Sequence, residues 1–342
     1  MKELLLLLLI ITSLQAKNFT FTDQIGREVS IEVPVKKIVV MQHHSLDILA
    51  QLKSQDKVIA TEKNILSDLG DYIKMMYPNI DKLPKPGDLQ NYNLEEIIKL
   101  KPDIVIAASQ ANLKQLQLLE ELGIKTAVIS LRLEGKQENP QEPVLKNANL
   151  AYTNGLYDAI NILANLVAKE DVAKELIDFC KESRRILNEK LKNVKTKLRV
   201  FVANENNKTY GNDKYVGVAL ENAKAINTAA KYFQGYKTYS FELLAKINPD
   251  VILVSDRYKN EYIKITNDEQ YKVLNAVKNN KVLLLPYYTK QWGNPNTDSI
   301  ALGELYLAYK FYPDLISKDL LKKRIEYFYK HFYGLDFNDE IN

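Results

Sequence analysis

The residues of this 342-residue chain that can do chemistry are few. There is one cysteine, Cys180, and there are three histidines, His43, His44 and His331. A lone thiol cannot close an intramolecular disulfide or supply a zinc site of several thiolates. No G-x-S-x-G, G-x-x-x-x-G-K-[ST], H-E-x-x-H or C-x-x-C occurs, and His44 and Ser45 are chain neighbours that cannot adopt a triad geometry. Acid pairs such as Glu95-Glu96 and Glu120-Glu121 fall on solvated helical faces. Nothing supports an enzyme or a resident cofactor, which leaves binding.

The binding candidates lie where strands end. His43-His44-Ser45 follow the first apolar run and open a helix. Backbone N–H groups at such a turn attract anions, and a neutral imidazole can stack on a ligand or ligate a metal. Adjacent side chains rarely point the same way, so one of the two histidines is expected to face a ligand. Arg132 follows a second apolar run, and Arg257 follows another in the later half. A guanidinium there would grip a carboxylate, catecholate or oxyanion in bidentate fashion. Tyr210, Tyr287, Tyr288 and Trp292 sit on loops after strands, where aromatics wall a planar ligand and phenols can bond to a chelate. Arg184 and Arg185 are expected as solvent charges. Tyr327, Tyr329 and Tyr333 are expected to pack a terminal helix, with His331 not a ligand.

Stepping outward, two matched segments must position these groups. NLEEIIKLKPDIVIAAS at 93–109 and SFELLAKINPDVILVSD at 240–256 align without gaps at an offset of 147. Each begins with a capping residue, Asn93 or Ser240, and continues as a short amphipathic helix. Pro-Asp then ends the helix, and an aliphatic run reads as a buried strand. Lys37–Met41 and Leu198–Val202 open the two halves, and Lys125–Ile129 recurs as Lys281–Leu285. Strands alternating with helices imply parallel sheets. The fold class is therefore α/β, with two Rossmann-like lobes and a ligand cleft at the carboxyl edges of their sheets. The lobes are expected at 17–144 and 196–342. Between them, 145–195 has apolar residues at three- and four-residue spacing. It reads as a stiff helical connector with a break near Lys169-Glu170-Asp171.

Composition narrows the partners. The 47 basic and 43 acidic residues are interspersed, so the net charge of +4 gives no footprint for nucleic acid. The first 16 residues read as a charged start, an apolar run of about ten residues and a small residue before a polar stretch, the pattern of a secretory signal. The run is too short to span a bilayer, which takes about 20 residues. No cysteine follows it for lipid attachment. Export to the periplasm as a soluble, unanchored monomer is expected.

In order, the Lys37–Val40 strand, Ser45-Leu46-Asp47-Ile48-Leu49, the two Pro-Asp segments and the connector resemble the periplasmic binding proteins of iron-siderophore, haem and vitamin B12 importers. The resemblance spans about Phe19 to Leu335. It implies a receptor that captures a metal chelate, ferric siderophore or haem-like, in the interlobe cleft and delivers it to an ABC permease dimer. It also implies that Glu95 and Glu242, one on each lobe, pair with permease arginines. The residues alone give both glutamates a simpler role as first-turn acids on the helix dipole. The run from Trp292-Gly293-Asn294-Pro295 to Phe332-Tyr333-Gly334 is similar to a subgroup with relatives that bind molybdate and tungstate. The alternatives are accordingly an oxyanion receptor or a nickel or cobalt complex held by His43 or His44. An enzyme on a related two-lobed metallocluster or chelatase fold ranks below these.

Overall fold

The computed structural model describes residues 17–135 and 142–341. The expected secretory signal lies outside the described residues. Among the described residues no helix is long and apolar enough to cross a membrane.

The chain is α/β with two parallel sheets. An antiparallel hairpin, β1 (Lys17–Thr22) and β2 (Glu28–Val33), precedes them. The first sheet holds β3 (Ile38–Val40), β4 (Val58–Thr61), β5 (Ile104–Ala108) and β6 (Lys125–Ile129), in the order β4-β3-β5-β6. The second lobe contains β7 (Arg199–Ala203), β8 (Lys208–Tyr210), β9 (Ile226–Asn227), β10 (Tyr236–Thr238), β11 (Val251–Ser255) and β12 (Val282–Leu285). Its sheet order is β9-β7-β11-β12, the same path as the first, and β8 pairs with β10 as a separate antiparallel ribbon.

The internal repeat is structural to the level of single bonds. Asn93 and Ser240 each cap their helix by accepting the N–H three residues on. Lys101 and Asn248 end those helices in the left-handed region, at φ 48° and 44°. Asp103 then accepts the N–H of Lys37 at 2.9 Å, and Asp250 accepts that of Arg199 at 2.8 Å. In both lobes a Pro-Asp carboxylate thus pins the start of the neighbouring strand.

Each strand carries aliphatics on both faces, as a covered parallel sheet requires. Val39, Val105 and Val128 face one satellite core, and Phe201, Ile252 and Val254 face another. Ile38, Val40, Ile104, Ile106, Val200, Val202 and Leu253 point into one shared core that runs through both lobes.

The connector is a helix pair, Ala148–Val167 and Glu170–Leu191, with Ala168 between them at φ 54°. The interruption falls beside the expected Lys169-Glu170-Asp171. Both helices pack into the shared core, which makes the joint between lobes stiff. Gly155 is required here: a Cβ at this position would lie 2.3 Å from the Arg132 backbone. Arg184 departs from expectation. It forms a bidentate pair with Glu304, at 2.7 and 3.0 Å, because the second connector helix presses that face against the C-terminal helix Glu304–Phe311. Arg185 is exposed as expected.

Candidate functional site

The carboxyl edges of the two sheets meet around the start of the helix His44–Gln51. Gln42, just before it, takes both Ser45 donors on its Oε1, the N–H at 2.7 Å and the hydroxyl at 2.8 Å. Its amide nitrogen then faces His44 Nδ1 at 3.4 Å. This network makes Nδ1 the acceptor and leaves the proton on Nε2. His44 Nε2 is buried and has no partner. Burial, then His43, Arg257, Lys290 and Lys214 in turn, holds the His44 pKa well below the ordinary value. The ring is therefore a neutral donor at physiological pH.

The second lobe meets it with Arg257, from the turn after β11. Its guanidinium lies 4.4 Å over the Trp292 ring, and it donates to the backbone carbonyl of Asp68 in the first lobe. Its Nε is buried without a partner. Trp292 in turn meets His44 edge-on at 5.5 Å. Tyr72 and Tyr287 stack across the lobes at 6.0 Å. Tyr210 stacks on Tyr236 at 4.6 Å and abuts Gly293, where a Cβ would sit 3.1 Å from the phenol ring. Lys214 lies against the same glycine, with its pKa brought down to about 7 by burial and by Arg132, which outweigh Asp213. Arg132 is fully buried, and its Nε donates to the Glu134 carbonyl at 3.2 Å.

His43 points toward two carboxylates of its own lobe. Its Nδ1 lies 4.0 Å from Glu62 Oε1 and 3.7 Å from Asp68 Oδ2. Burial first, then Arg257, drops the His43 pKa to about 3, so this imidazole is also neutral.

Behind the cleft lies a polar cluster that locks the lobes together. Lys290, at φ 42°, is fully buried and ion-paired with Asp47 at 2.8 Å and Asp298 at 3.1 Å. Asp47 also accepts from the Tyr72 hydroxyl at 2.8 Å and the Asn296 amide at 2.6 Å. Asp298 accepts from Gln51 and from the Tyr333 hydroxyl, each at 2.9 Å. Two π-helical turns, Ser299–Gly303 and Tyr329–Tyr333, aim this chemistry. Gly303 is essential to the first, since a Cβ would lie 2.2 Å from the Thr289 carbonyl.

The periplasmic binding protein model of known families matches residues 38–289, which hold both parallel sheets. The chain belongs to this family of ABC-importer receptors. It is 33% identical over 322 residues to the molybdate-binding protein MolA of Haemophilus influenzae, covering 93% of this chain and 92% of that one. The solved structure of MolA bound to molybdate superposes with a TM-score of 0.88, over 94% of this chain and 99% of that chain. A Bacillus subtilis ABC transporter substrate-binding lipoprotein, YvrC, is 25% identical over 77% of this chain and 76% of its own length. Helicobacter pylori CeuE in its Ni-His complex shares the fold, with a TM-score of 0.73 at 20% identity over 94% of this chain and 97% of that one.

Within the family's cleft, His43, His44, Arg257, Tyr210, Tyr287 and Trp292 are brought together. Three expected ligand contacts sit differently. Tyr288 is turned away into an aromatic core against Tyr306 and Phe337, at 5.8 and 5.3 Å, because the turn after β12 sends consecutive side chains in opposite directions. The Ser45 hydroxyl is fully buried and engaged by Gln42. Arg132 lies beneath the interlobe surface and braces the loop against the connector. Glu95 and Glu242 are exposed at the N-terminal turns of matching helices.

Asp47, Glu62, Asp68, Tyr72, Lys214, Lys290 and Asp298 were not singled out from sequence. Asp47 offered a signal, as a carboxylate amid the apolar face Leu46–Ala50. Pro-Tyr-Tyr-Thr-Lys-Gln-Trp offered another, as a polar and aromatic run after a buried strand.

Proposed function

We propose that this receptor takes a small tetrahedral oxyanion, molybdate or tungstate, in preference to a siderophore- or haem-sized chelate. The observation that carries the reading is a pair of orphaned donors in the cleft, His44 Nε2–H and Arg257 Nε–H. A buried donor without an acceptor costs about 1–3 kcal/mol, and an oxyanion supplies acceptors without needing a proton of its own. Lys214 adds positive charge at the same interlobe face, with Arg132 buried behind it. The lobes already touch through Arg257 and through the Tyr72–Tyr287 stack, which favours a compact ligand over a bulky one. The molybdate complex of the 33%-identical relative supports the same reading.

Delivery would use Glu95 and Glu242. The helices carrying them run antiparallel to the strands, so their N termini lie level with the carboxyl edges of the sheets, one on each lobe. Two exposed carboxylates there suit a permease surface bearing arginines, where complementary charge speeds and orients encounter. Secretion through the apolar N-terminal segment belongs to the same proposal.

Calorimetric titration tests the ligand assignment. Molybdate and tungstate are expected to bind one per chain, with ferric chelates, haem and Ni(II)-histidine giving no heat. Saturable binding of a ferric chelate with none for either oxyanion would reverse the assignment. For docking, the Glu95→Gln/Glu242→Gln double variant should bind oxyanion normally and slow uptake. Wild-type uptake would remove the two glutamates from that role.

A further inference from the structure

The cleft also contains the opposite kind of vacancy. Glu62 Oε1 is a buried acceptor without a hydrogen-bond partner, and His43 Nδ1 beside it is likewise unpartnered. With Asp68 they place three ligand atoms within 4.8 Å of one another. Glu62 is completely buried. Its other oxygen, Oε2, accepts the Asn64 N–H at 2.6 Å, which fixes the carboxylate plane and turns Oε1 toward His43. Among the described residues, no lysine or arginine ion-pairs with the Glu62 or Asp68 carboxylate, and His43 is the partner of both. A buried carboxylate oriented by its backbone and without a direct ion pair is costly unless a proton or a bound cation neutralises it.

We propose that His43, Glu62 and Asp68 form a site for a divalent transition-metal cation of the Zn(II), Co(II) or Ni(II) class. Imidazole nitrogen with two carboxylates is a borderline donor set that suits these ions better than Ca(II), which prefers six to eight oxygens. Metal–ligand bonds of about 2.0–2.2 Å place tetrahedral ligands about 3.4 Å apart. The observed spacings, 3.7 and 4.0 Å from His43 with all three atoms within 4.8 Å, therefore need the side chains to draw in by up to about an ångström. All three side chains come from the first lobe, His43 from the turn after β3 and the other two from the segment after β4. The site would thus form without lobe closure. The Asn64 N–H is the outer contact that holds the first carboxylate, as metal sites ordinarily require.

The inference goes beyond the oxyanion reading and does not rest on it. It also differs from a nickel complex held by one histidine, because it requires Glu62 and Asp68. The test is titration of the purified, untagged chain with ZnCl2, NiCl2 and CoCl2 in competition with a chromophoric chelator, without oxyanion. One ion per chain is expected. Glu62→Gln and Asp68→Asn should each weaken binding at least about tenfold, since loss of an outer contact alone costs 10–100-fold. His331→Gln, away from the cleft and paired with Glu175, should leave the metal affinity within about twofold. Co(II) should show the visible absorption of a nitrogen- and oxygen-ligated ion, and that band should be lost in Asp68→Asn. Thermal melts confirm that each variant is folded. Asp68, being partly exposed, supplies the readout where Glu62→Gln does not fold. No stoichiometric binding of any of the three ions, or equal affinity in the wild type and Asp68→Asn, would overturn the site. Molybdate titration of chelator-treated protein reads the oxyanion proposal separately, so either can fail alone.

Discussion

Two clusters of buried polar groups grow from the same short helix, His44–Gln51, and they are built in opposite ways. On the inner side, Asp47 and Gln51 join Lys290, Asp298, Asn296 and Tyr333 in a lock that bridges the lobes. There Lys290 has two carboxylates, and each carboxylate has neutral donors besides. On the outer side, His43 and His44 stand with Arg257, Glu62 and Asp68, and key atoms have no partner. Burial differs in degree: the inner groups are buried, while His43, Asp68 and Arg257 keep partial exposure. The sharper difference is satisfaction. A filled network holds the lobes in one arrangement. An unfilled one keeps donors and acceptors ready for something that is not protein.

The contrast can be broken most forcefully at Lys290. Lys290→Met would leave Asp47 and Asp298 buried without their counter-charge, and should lower unfolding free energy by about 3–5 kcal/mol. Denaturant titration reads this. Adding Asp47→Asn and Asp298→Asn should recover much of the loss, since the penalty is the uncompensated charge. A single variant as stable as wild type would mean that the cluster is no lock.

Arg257→Ala should show the reverse profile. Oxyanion affinity is expected to fall by roughly 10- to 100-fold, the scale of a charged hydrogen bond of about 1.5–3 kcal/mol. Arg257→Lys should not restore it, because the planar stack on Trp292 is lost. Calorimetry on both variants decides this. Full affinity in Arg257→Lys would show that only charge matters.

The pH dependence sharpens the electrostatic side. The Lys214 pKa in the unliganded protein lies at about 7, below its value in the unfolded chain. A proton on Lys214 favours an anion, so affinity should be greatest below pH 7 and weaken by up to about tenfold per unit above it. Proton uptake on binding, measured at pH 8 in buffers of different ionisation enthalpy, checks the sign. Proton release, or a flat profile in wild type, would detach Lys214 from the ligand. The same linkage gives stability the other trend: with the folded pKa depressed, the chain gains stability as pH rises from about 7 toward the unfolded value.

The smallest effect belongs to Tyr288. Its hydroxyl is buried without a partner among aromatic rings, away from the cleft. Tyr288→Phe should leave oxyanion affinity unchanged and leave stability level or slightly higher. A clear loss of affinity would return Tyr288 to the ligand.

Most of the fold was legible because its signals are local. The caps at Asn93 and Ser240, the Pro-Asp stops and the aliphatic runs each act within a few residues, and their recurrence marked two lobes of one design. The hairpin β1–β2 and the ribbon β8–β10 were not read, since their pairing rests on contacts between short polar-flanked segments. The site was legible by position. Loops after parallel strands gather at one edge of each sheet, and the structure brings His43, His44, Arg257 and Trp292 together there. Tyr288 was misplaced because a turn decides which of two adjacent tyrosines points outward, and residue type does not. Lys290 and Asp47 went unread because they are 243 residues apart and each is ordinary alone.

By itself the sequence determined the two-lobed α/β class and the stiff helical joint, and it put the candidate ligand groups on loops after the strands. These follow from hydrophobic period, caps and strand order, which the chain carries along its length. Only the tertiary structure decided which polar groups are satisfied and which are left waiting. Hydrogen bonds and ion pairs depend on distances of a few ångströms between residues far apart in sequence, and two helical turns of unusual pitch set those distances here.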